Sequence, residues 1–221
     1  MKRRTTQRAL RLLPRTVLTK TGPVDEAAWN YQPLLGAIQR KRFQLAVRLL
    51  GQQRFRRLLE IGYGSGIFQL ELSNHCDELY GIDPHPMPDA VTETLRQQGV
   101  TAHLYSGDAA AMPFADGFFD CAVAVSAVEF IGDLDRACVE VTRVLQPGGI
   151  FIVVTPGSSA VVDFGLKVLT GQSAKQNFGE RRQAVVPTLL KHFDLQSELA
   201  FPAFTGALGR LYTALKLSKR R

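Results

Sequence analysis

The chain has 221 residues, of which 45% are hydrophobic and 21% charged, a composition that suits one globular domain with a substantial core. No apolar run approaches the roughly 20 residues that cross a bilayer, and the N-terminus lacks the apolar stretch of a secretory signal, so we expect no transmembrane segment. The three cysteines, Cys76, Cys121 and Cys138, form no CxxC pair, which argues against a metal site and favours a reducing, cytoplasmic location.

The net charge of +7 is concentrated at the two ends of the chain. Residues 1–20 carry seven Lys or Arg and residues 199–221 carry five, with no acidic residue in either segment. The other 15 basic residues are outnumbered by 20 acidic ones, so the body of the chain is mildly acidic. Basic tails of this kind can contact an anionic membrane or nucleic acid, although the lack of interleaved aromatic residues favours solvated ends.

Strands and helices are predicted to alternate after a loose basic N-terminal arm, residues 1–20. An amphipathic helix at 33–50 should end at Gly51. Strands are then predicted at 56–62, 77–83, 101–108, within 118–130 and at 150–156, and helices at 66–75, 90–99 and 133–145. A helix at 180–193 precedes two strands, 194–202 and 210–218, which a reversal at 204–209 would make antiparallel. This alternation predicts a mostly parallel sheet covered on both faces, in a single domain over residues 21–221.

The segment LLEIGYGSG, residues 58–66, joins the first predicted strand to the helix that follows it. Glycines at 62, 64 and 66 let the backbone turn sharply and let a ligand approach closely. The helix behind them presents unpaired backbone N–H groups. A glycine motif at this place, between a strand and a helix, predicts a nucleotide-binding loop, and Glu60 lies two residues before its first glycine.

Two aspartates end the next two predicted strands. Asp83 lies 17 residues after Gly66, where an acid can accept both hydroxyls of a ribose, while an exposed turn residue is the alternative. Asp108 can accept a hydrogen bond from an adenine amino group, and it can equally cap a helix. Next to the glycine loop, the nucleotide role is favoured for Asp83.

Five segments in order carry a family resemblance: ExGxGxG (60–66), GID (81–83), GDAAAMPFADGFFD (107–120), SAVEFI (126–131) and RVLQPGG (143–149). Over residues 55–156 the chain resembles the class I S-adenosylmethionine-dependent methyltransferases, in the small-molecule branch related to ubiquinone and menaquinone C-methyltransferases. The resemblance implies a Rossmann-like, doubly wound α/β sheet of seven strands, mostly parallel with the last strand antiparallel. It also implies S-adenosylmethionine as cofactor, S-adenosylhomocysteine as product and a small-molecule acceptor.

The same resemblance implies which residues surround the cofactor. Glu60 would lie near the methionine amino group, Asp83 would take the ribose hydroxyls, and Asp108 would contact the adenine edge. The residues implied to contact the cofactor are Glu60, Gly62, Gly64, Gly66, Asp83, Pro84, Asp108, Ala109 and Ser126.

No catalytic residue follows directly from the sequence. The donated methyl group is already electrophilic, so orientation matters most, and a general base helps only if the acceptor must lose a proton. Glu129 is a candidate base or pocket-shaping residue, with a partly exposed carboxylate at the strand edge as the alternative. His85 is a candidate base, with an exposed loop histidine as the alternative. Relatives often have Glu-His where this chain has Glu129-Phe130, so a histidine role is not carried over.

Two segments are candidates to cover the acceptor. Trp29 and Tyr31 precede the first predicted helix, and residues 157–180, which include Phe164, contain glycines that permit a mobile lid. Packing of the first helix on the domain is the alternative for Trp29 and Tyr31, and an extra core helix is the alternative for residues 157–180.

Three other functions stay open. A nicotinamide-dependent oxidoreductase would have GxGxxG, and Ile67 interrupts that spacing. A catalytically silent cofactor-binding partner subunit could share the fold. A methyltransferase acting on RNA or protein is suggested only by the basic tails, because SAVEFI replaces the Asn-Pro-Pro-Tyr-like motif of base-modifying enzymes.

Overall fold

A single mixed sheet organises the chain. The computed structural model describes residues 9–23, 25–157, 176–203 and 209–220, with residues 176–180 described only in their backbone. The strands of the sheet are β1 (Phe55–Ile61), β2 (Cys76–Asp83), β3 (His103–Ser106), β4 (Phe119–Val125), β5 (Leu145–Pro156), β6 (Phe193–Phe201) and β7 (Tyr212–Lys219). The described helices are α1 (Leu35–Leu50), α2 (Gln69–Leu72), α3 (Pro88–Gln97), α4 (Leu134–Val144) and α5 (Gln176–His192).

The strands lie in the order β3-β2-β1-β4-β5-β7-β6. All pairs from β3 to β5 are parallel, and β7 runs antiparallel to both of its neighbours, β5 and β6. The prediction of seven strands, mostly parallel with the last one antiparallel, is therefore confirmed. The chain reverses direction across the sheet between β1 and β4, which places a crevice at the carboxyl ends of these two strands.

Neighbouring residues of each central strand supply opposite faces of the sheet. Leu58 packs with α1, α2 and α3 on one face, whereas Leu59 packs with α4 and α5 on the other, and both side chains are fully buried. A strand buried on both sides needs a continuous apolar sequence, which explains the runs seen in β4 and β5.

Helix α2 is much shorter than the predicted span of 66–75. Gly66 has a φ of 73°, which is outside the helical region, so the helix cannot begin there. At the other end, the carbonyl of His75 accepts the N–H of Phe55 at 2.8 Å, so residue 75 belongs to the start of the β1–β2 pair. The ten-residue prediction was wrong because these backbone contacts are not visible in the side-chain pattern.

The described part of the N-terminal arm packs against the domain. Leu13 is fully buried, and its N–H donates to the carbonyl of Ile67 at 3.2 Å. The N–H of Arg11 donates to Glu71 Oε2 at 2.6 Å, and the hydroxyl of Tyr31 donates to the carbonyl of Leu13. The expectation of a loose arm is therefore wrong for residues 11–13, because their apolar and backbone groups find partners on the domain.

Two leucines distinguish core packing from surface exposure. Replacing fully buried Leu59 by Ala is expected to lower the free energy of unfolding by about 2–5 kcal/mol, because it leaves a cavity between β1 and its neighbours. Leu34→Ala is the control, since Leu34 is 84% exposed and its loss should cost less than about 0.5 kcal/mol. Urea unfolding followed by circular dichroism measures both, and equal losses would contradict the packing described here.

Candidate functional site

The glycine loop turns the chain at the carboxyl end of β1. Gly62, Gly64 and Gly66 have φ values of 78°, 50° and 73°, a region that L side chains rarely adopt. A Cβ atom added to Gly62 would lie 2.4 Å from Cβ of Ala127, so the loop after β1 passes close to the segment after β4. The backbone conformation therefore favours glycine at all three positions, and close approach also requires it at Gly62.

Asp83 holds the glycine loop from the end of β2. Its Oδ2 accepts the N–H of Gly64 at 2.9 Å, and its Oδ1 accepts the N–H of His85 at 3.2 Å. Each carboxylate oxygen has a further lone pair, so these bonds leave acceptor capacity for a ligand. The predicted ribose acid therefore lies directly beside the predicted glycine loop, and Pro84, which follows it, is exposed.

His85 braces the same loop. The N–H of Met87 donates to His85 Nδ1 at 3.1 Å, so Nε2 carries the proton and donates to the carbonyl of Gly64 at 3.1 Å. The ring is buried and meets Tyr63 edge-on, with centroids 4.9 Å apart. Because both ring nitrogens are engaged with the backbone, this geometry argues against His85 as a general base and against an exposed loop histidine.

Glu60 lies buried at the end of β1. Gln69 Nε2 donates to its Oε2 at 2.7 Å, and only 3% of the residue is exposed. Burial raises the pKa of Glu60 to about 8, the hydrogen bond from Gln69 opposes this rise, and the nearby charge of Asp83 adds to it. Near neutral pH the carboxyl is therefore mostly protonated in the structure as it stands, and a cation placed beside it would favour the charged form.

The end of β3 joins the same edge. The N–H of Gly107 donates to the carbonyl of Asp83 at 3.0 Å, which ties the segment after β3 to the end of β2. Asp108 is exposed, and its Oδ1 accepts the N–H of Ala110 at 2.9 Å, while Ala109 is buried. Asp108 thus caps a turn and not the helix that was the expected alternative, because no helix follows it, and its other carboxylate oxygen remains available to a ligand.

The segment after β4 has an unusual backbone. Ser126 has a φ of 53°, uncommon for a residue other than glycine, and its N–H donates to the carbonyl of Val154 at 2.7 Å. Strained backbone of this kind is concentrated at functional sites. Glu129 follows in a short 3₁₀ helix, Val128–Phe130, and is only 2% exposed. Burial raises the pKa of Glu129 to about 7, against the charges of Arg182 and Arg42.

The two predicted covering segments have different outcomes. Trp29 and Tyr31 lie in a 3₁₀ helix, Ala27–Tyr31, where Trp29 is partly buried and the hydroxyl of Tyr31 is held by the carbonyl of Leu13. Phe164 and most of residues 157–180 lie outside the described residues, so the lid there stays a prediction. A different N-terminal residue reaches the loop, because Asp25 Cγ lies 3.9 Å from where a Cβ of Gly64 would be.

Several residues around the site were not predicted from the sequence. Tyr63 packs on His85, Gln69 binds Glu60, and Arg42 projects from α1 toward the charges of Glu129, Asp25 and Glu60. The sequence contained one signal for Arg42. Gln39, Phe43 and Ala46 lie on the buried face of α1, and Arg42 lies among them at helical spacing, although it is charged.

Within the described part of the chain, no group of three or more His, Cys, Asp or Glu side chains could hold a metal ion. The three cysteines are free and buried. Among the described helices, none is both long enough and apolar enough to cross a membrane.

A close approach at Gly62 predicts a large cost for a single methyl group. Gly62→Ala is expected to lower the free energy of unfolding by about 3 kcal/mol or more, from backbone strain together with the clash at Ala127. Gly99→Ala is the matched control, because Gly99 has a φ of 76° and no atom within 4 Å of the added Cβ, so it should lose only about 1–2 kcal/mol. Chemical unfolding measures the free energy of unfolding of both variants, and equal losses in Gly62→Ala and Gly99→Ala would contradict a role for the close approach to Ala127.

The buried carboxyl of Glu60 predicts a pH-dependent stability. Its folded pKa of about 8 lies above the usual 4.5, so the folded state keeps a proton that the unfolded state releases. This contribution is complete below pH 4.5 and is lost as the pH rises through 8. Relative to Glu60→Gln, wild-type stability should fall between these values by up to about 1.4 kcal/mol per pH unit. Urea unfolding of both proteins at pH 5.5, 6.5, 7.5 and 8.5 tests this, and parallel curves would contradict it.

Comparison with known proteins identifies the central segment. Residues 59–153 match the family profile described as "Methyltransferase domain". The chain is 31% identical to the demethylmenaquinone methyltransferase of Thermus thermophilus over 111 residues, covering 49% of this chain and 50% of that protein. It is 28% identical to a biotin biosynthesis bifunctional protein of Cellvibrio japonicus over 188 residues, covering 85% of this chain and 36% of that protein.

Solved structures support the same fold. An N-methyltransferase from Bradyrhizobium japonicum, in complex with S-adenosylhomocysteine, superposes with a TM-score of 0.62 at 17% identity, over 91% of this chain and 95% of that one. The chain spans half or less of the length of the two curated relatives. Residues 59–153 therefore match a methyltransferase family, and the chain has the fold of a solved N-methyltransferase.

Proposed function

We propose that this protein transfers a methyl group from S-adenosylmethionine to a small-molecule acceptor. The observation that carries the proposal is the glycine loop held by Asp83 at the switch point of the sheet, inside the segment that matches the methyltransferase family. One of the relatives, the demethylmenaquinone methyltransferase, is named for a small molecule, which favours an acceptor of that class. The cytoplasmic location expected from unpaired cysteines remains part of this proposal.

The residues at the strand ends fit such a cofactor. Gly62 lets the loop lie against Ala127, and a Cβ added at Gly64 would have no atom nearer than 3.9 Å, so the loop leaves open space there. Asp83 has acceptor capacity left for ribose hydroxyls, and the Asp108 carboxylate is exposed at the adjacent strand end. The proposed cofactor-binding residues are Glu60, Gly62, Gly64, Gly66, Asp83, Pro84, Asp108, Ala109 and Ser126.

The chemistry divides between cofactor and protein. When bound, S-adenosylmethionine supplies a methyl group on a sulfonium, whose sulfur keeps the electron pair of the carbon–sulfur bond as the acceptor atom takes the methyl. The glycine loop and Asp83 orient the cofactor, and buried groups around Ser126 and Glu129 exclude water from the acceptor side. Orientation alone can contribute about 7–11 kcal/mol toward lowering such a barrier.

Glu129 is the residue best placed to hold a proton. Its pKa of about 7 makes both protonation states accessible near neutral pH, which is the condition for an efficient general base. An acceptor that loses a proton on methylation would deliver that proton to the Glu129 carboxylate. His85 has no ring nitrogen available for this step.

The alternatives gain no comparable support. Ile67, which interrupts the spacing of a nicotinamide-binding loop, is buried in the core. Part of the N-terminal tail contacts the domain through Leu13 and Arg11. Residues 1–8, which carry several of the basic side chains of the tail, lie outside the described part. Contact of the tails with anionic membrane or nucleic acid stays a prediction, as does a catalytically silent subunit.

Binding of the reaction product tests the proposed function. Titration of wild-type protein with S-adenosylhomocysteine by calorimetry should give a micromolar dissociation constant, and Asp83→Ala should weaken it at least about tenfold, because ribose hydroxyls and the Gly64 N–H lose their acceptor. Asp89→Ala is the control, since Asp89 is an exposed acid in the first turn of α3. Thermal unfolding verifies that each variant is folded. A folded wild-type protein that binds NADH but not S-adenosylhomocysteine would overturn the proposal.

A further inference from the structure

A turn of the N-terminal segment lies against the glycine loop, although it is outside the residues that match the methyltransferase family. A Cβ atom added to Gly64 would have Asp25 Cγ and Oδ1 at 3.9 Å and Thr21 Oγ1 at 4.0 Å as its nearest described neighbours. The side of Gly64 that carries no side chain therefore faces a carboxylate and a hydroxyl. A ligand that lies along this side of the loop meets the Asp25 carboxylate.

Three hydrogen bonds orient that carboxylate. Asp25 Oδ2 accepts the N–H of Thr21 at 3.1 Å and its hydroxyl at 2.9 Å, and Oδ1 accepts the N–H of Ala27 at 3.2 Å. Each carboxylate oxygen has two lone pairs, so Oδ2 is fully used and Oδ1 keeps one lone pair. Because Oδ1 is the oxygen nearer to Gly64, the unused acceptor position is the one beside the loop.

The turn is anchored to the domain. The 3₁₀ helix that follows Asp25, Ala27–Tyr31, is held by the hydrogen bond from the Tyr31 hydroxyl to the carbonyl of Leu13. Leu13 in turn donates its N–H to the carbonyl of Ile67, directly after the glycine loop, at 3.2 Å. Asp25 is therefore positioned relative to the loop before a ligand arrives, which lowers the entropic cost of binding to it.

The positive charges near Asp25 are not dedicated to it. Among the described residues, no basic side chain lies within salt-bridge distance of its carboxylate, and Lys20 pairs with Glu26 at 3.9 Å instead. The charge of Arg42 interacts with Asp25 and also with the two buried glutamates of the site. Since Arg42 is shared in this way, Asp25 can accept a hydrogen bond from a cationic group of a ligand.

The ammonium of the methionine part is the group of S-adenosylmethionine that suits this position. Asp83, the proposed ribose acid, meets Gly64 at its N–H, whereas Asp25 meets it in the direction of the missing side chain, so the two carboxylates face different parts of a ligand. An ammonium has three N–H donors. Glu60, which is expected near the same ammonium, already shares its Oε2 with Gln69, so a second carboxylate can serve the remaining donors.

We propose that Asp25 binds the ammonium of the methionine part of S-adenosylmethionine through the unused lone pair of Oδ1. A hydrogen bond between a carboxylate and an ammonium is charge-assisted and therefore stronger than a neutral one. The cofactor then contacts the N-terminal turn as well as the strand ends, and the amino group is recognised from two sides. The inference rests on the proposed function, because it assigns a further contact of the same cofactor.

The test compares two ligands that differ by one amino group. S-adenosylhomocysteine and its desamino analogue, in which a hydrogen replaces the amino group, are titrated by calorimetry into full-length wild-type protein and Asp25→Asn. The substitution should weaken binding of S-adenosylhomocysteine at least about tenfold and change that of the analogue less than about twofold, because only the former has an ammonium. Glu26→Gln is the matched control, since this neighbouring acid pairs with Lys20 and its loss should keep both affinities.

Two further variants separate binding from a purely structural role of Asp25. Thr21→Val removes one hydrogen bond that orients the carboxylate but leaves the carboxylate itself, so it should keep most of the preference for S-adenosylhomocysteine over the analogue. Asp25→Ser, whose hydroxyl can still accept a hydrogen bond within the turn, should lose that preference and replaces Asp25→Asn if the latter does not fold. Thermal unfolding verifies that each variant is folded.

A folded Asp25→Asn variant that keeps the wild-type preference would overturn the inference. This result includes an equal weakening of both ligands, because Asp25 would then serve only the turn or the ribose.

The two proposals fail in distinguishable ways. A folded wild-type protein that binds neither S-adenosylhomocysteine nor the analogue overturns the proposed function, and the inference with it. A wild-type protein that binds S-adenosylhomocysteine, with a preference over the analogue that does not depend on Asp25, overturns the inference alone.

Discussion

The carboxylate of Asp83 joins the loop after β1 to the end of β2, by accepting the N–H of Gly64 at 2.9 Å. The loop needs this contact because three glycines with positive φ give it little stiffness of its own. His85 adds a second tie through its bond to the carbonyl of Gly64, and Gly107 bonds the carbonyl of Asp83 from β3. The ends of three strands are therefore fixed relative to one another before any ligand arrives, which reduces the entropic cost of binding.

Burial of carboxyl groups is the second constraint on the site. Glu60 and Glu129 are nearly inaccessible to water, and burial raises the pKa of both. Gln69 gives Glu60 a neutral partner, whereas Glu129 lies in the field of two arginines. Arg42 acts on both carboxyls, but Glu60 also lies near the like charge of Asp83 and Glu129 near the opposite charge of Arg182. This difference suits one carboxyl to a cationic group of the proposed cofactor and the other to a proton of the acceptor.

The sequence predicts the central part of the site well, because local backbone requirements are written into single residues. Gly62, Gly64 and Gly66 adopt positive φ as expected, and Asp83 ends its strand beside them. Contacts between distant segments leave no such local mark. The brace formed by His85, the burial of Leu13 and the short span of α2 all depend on partners that only the folded chain brings together.

The division of the chain has a further consequence for specificity. Apart from Asp25, all the proposed cofactor residues lie within 59–153, the segment that matches the methyltransferase family, whereas Arg42 and Arg182 lie outside it. The family match therefore carries information about the cofactor and little about the acceptor. Because α1 and α5 supply the arginines whose charges act on Glu129, changes in these flanking elements can alter the acceptor without disturbing the loop that Asp83 holds. A relative that shares only the central segment is then expected to share the donor of the methyl group and to differ in what receives it.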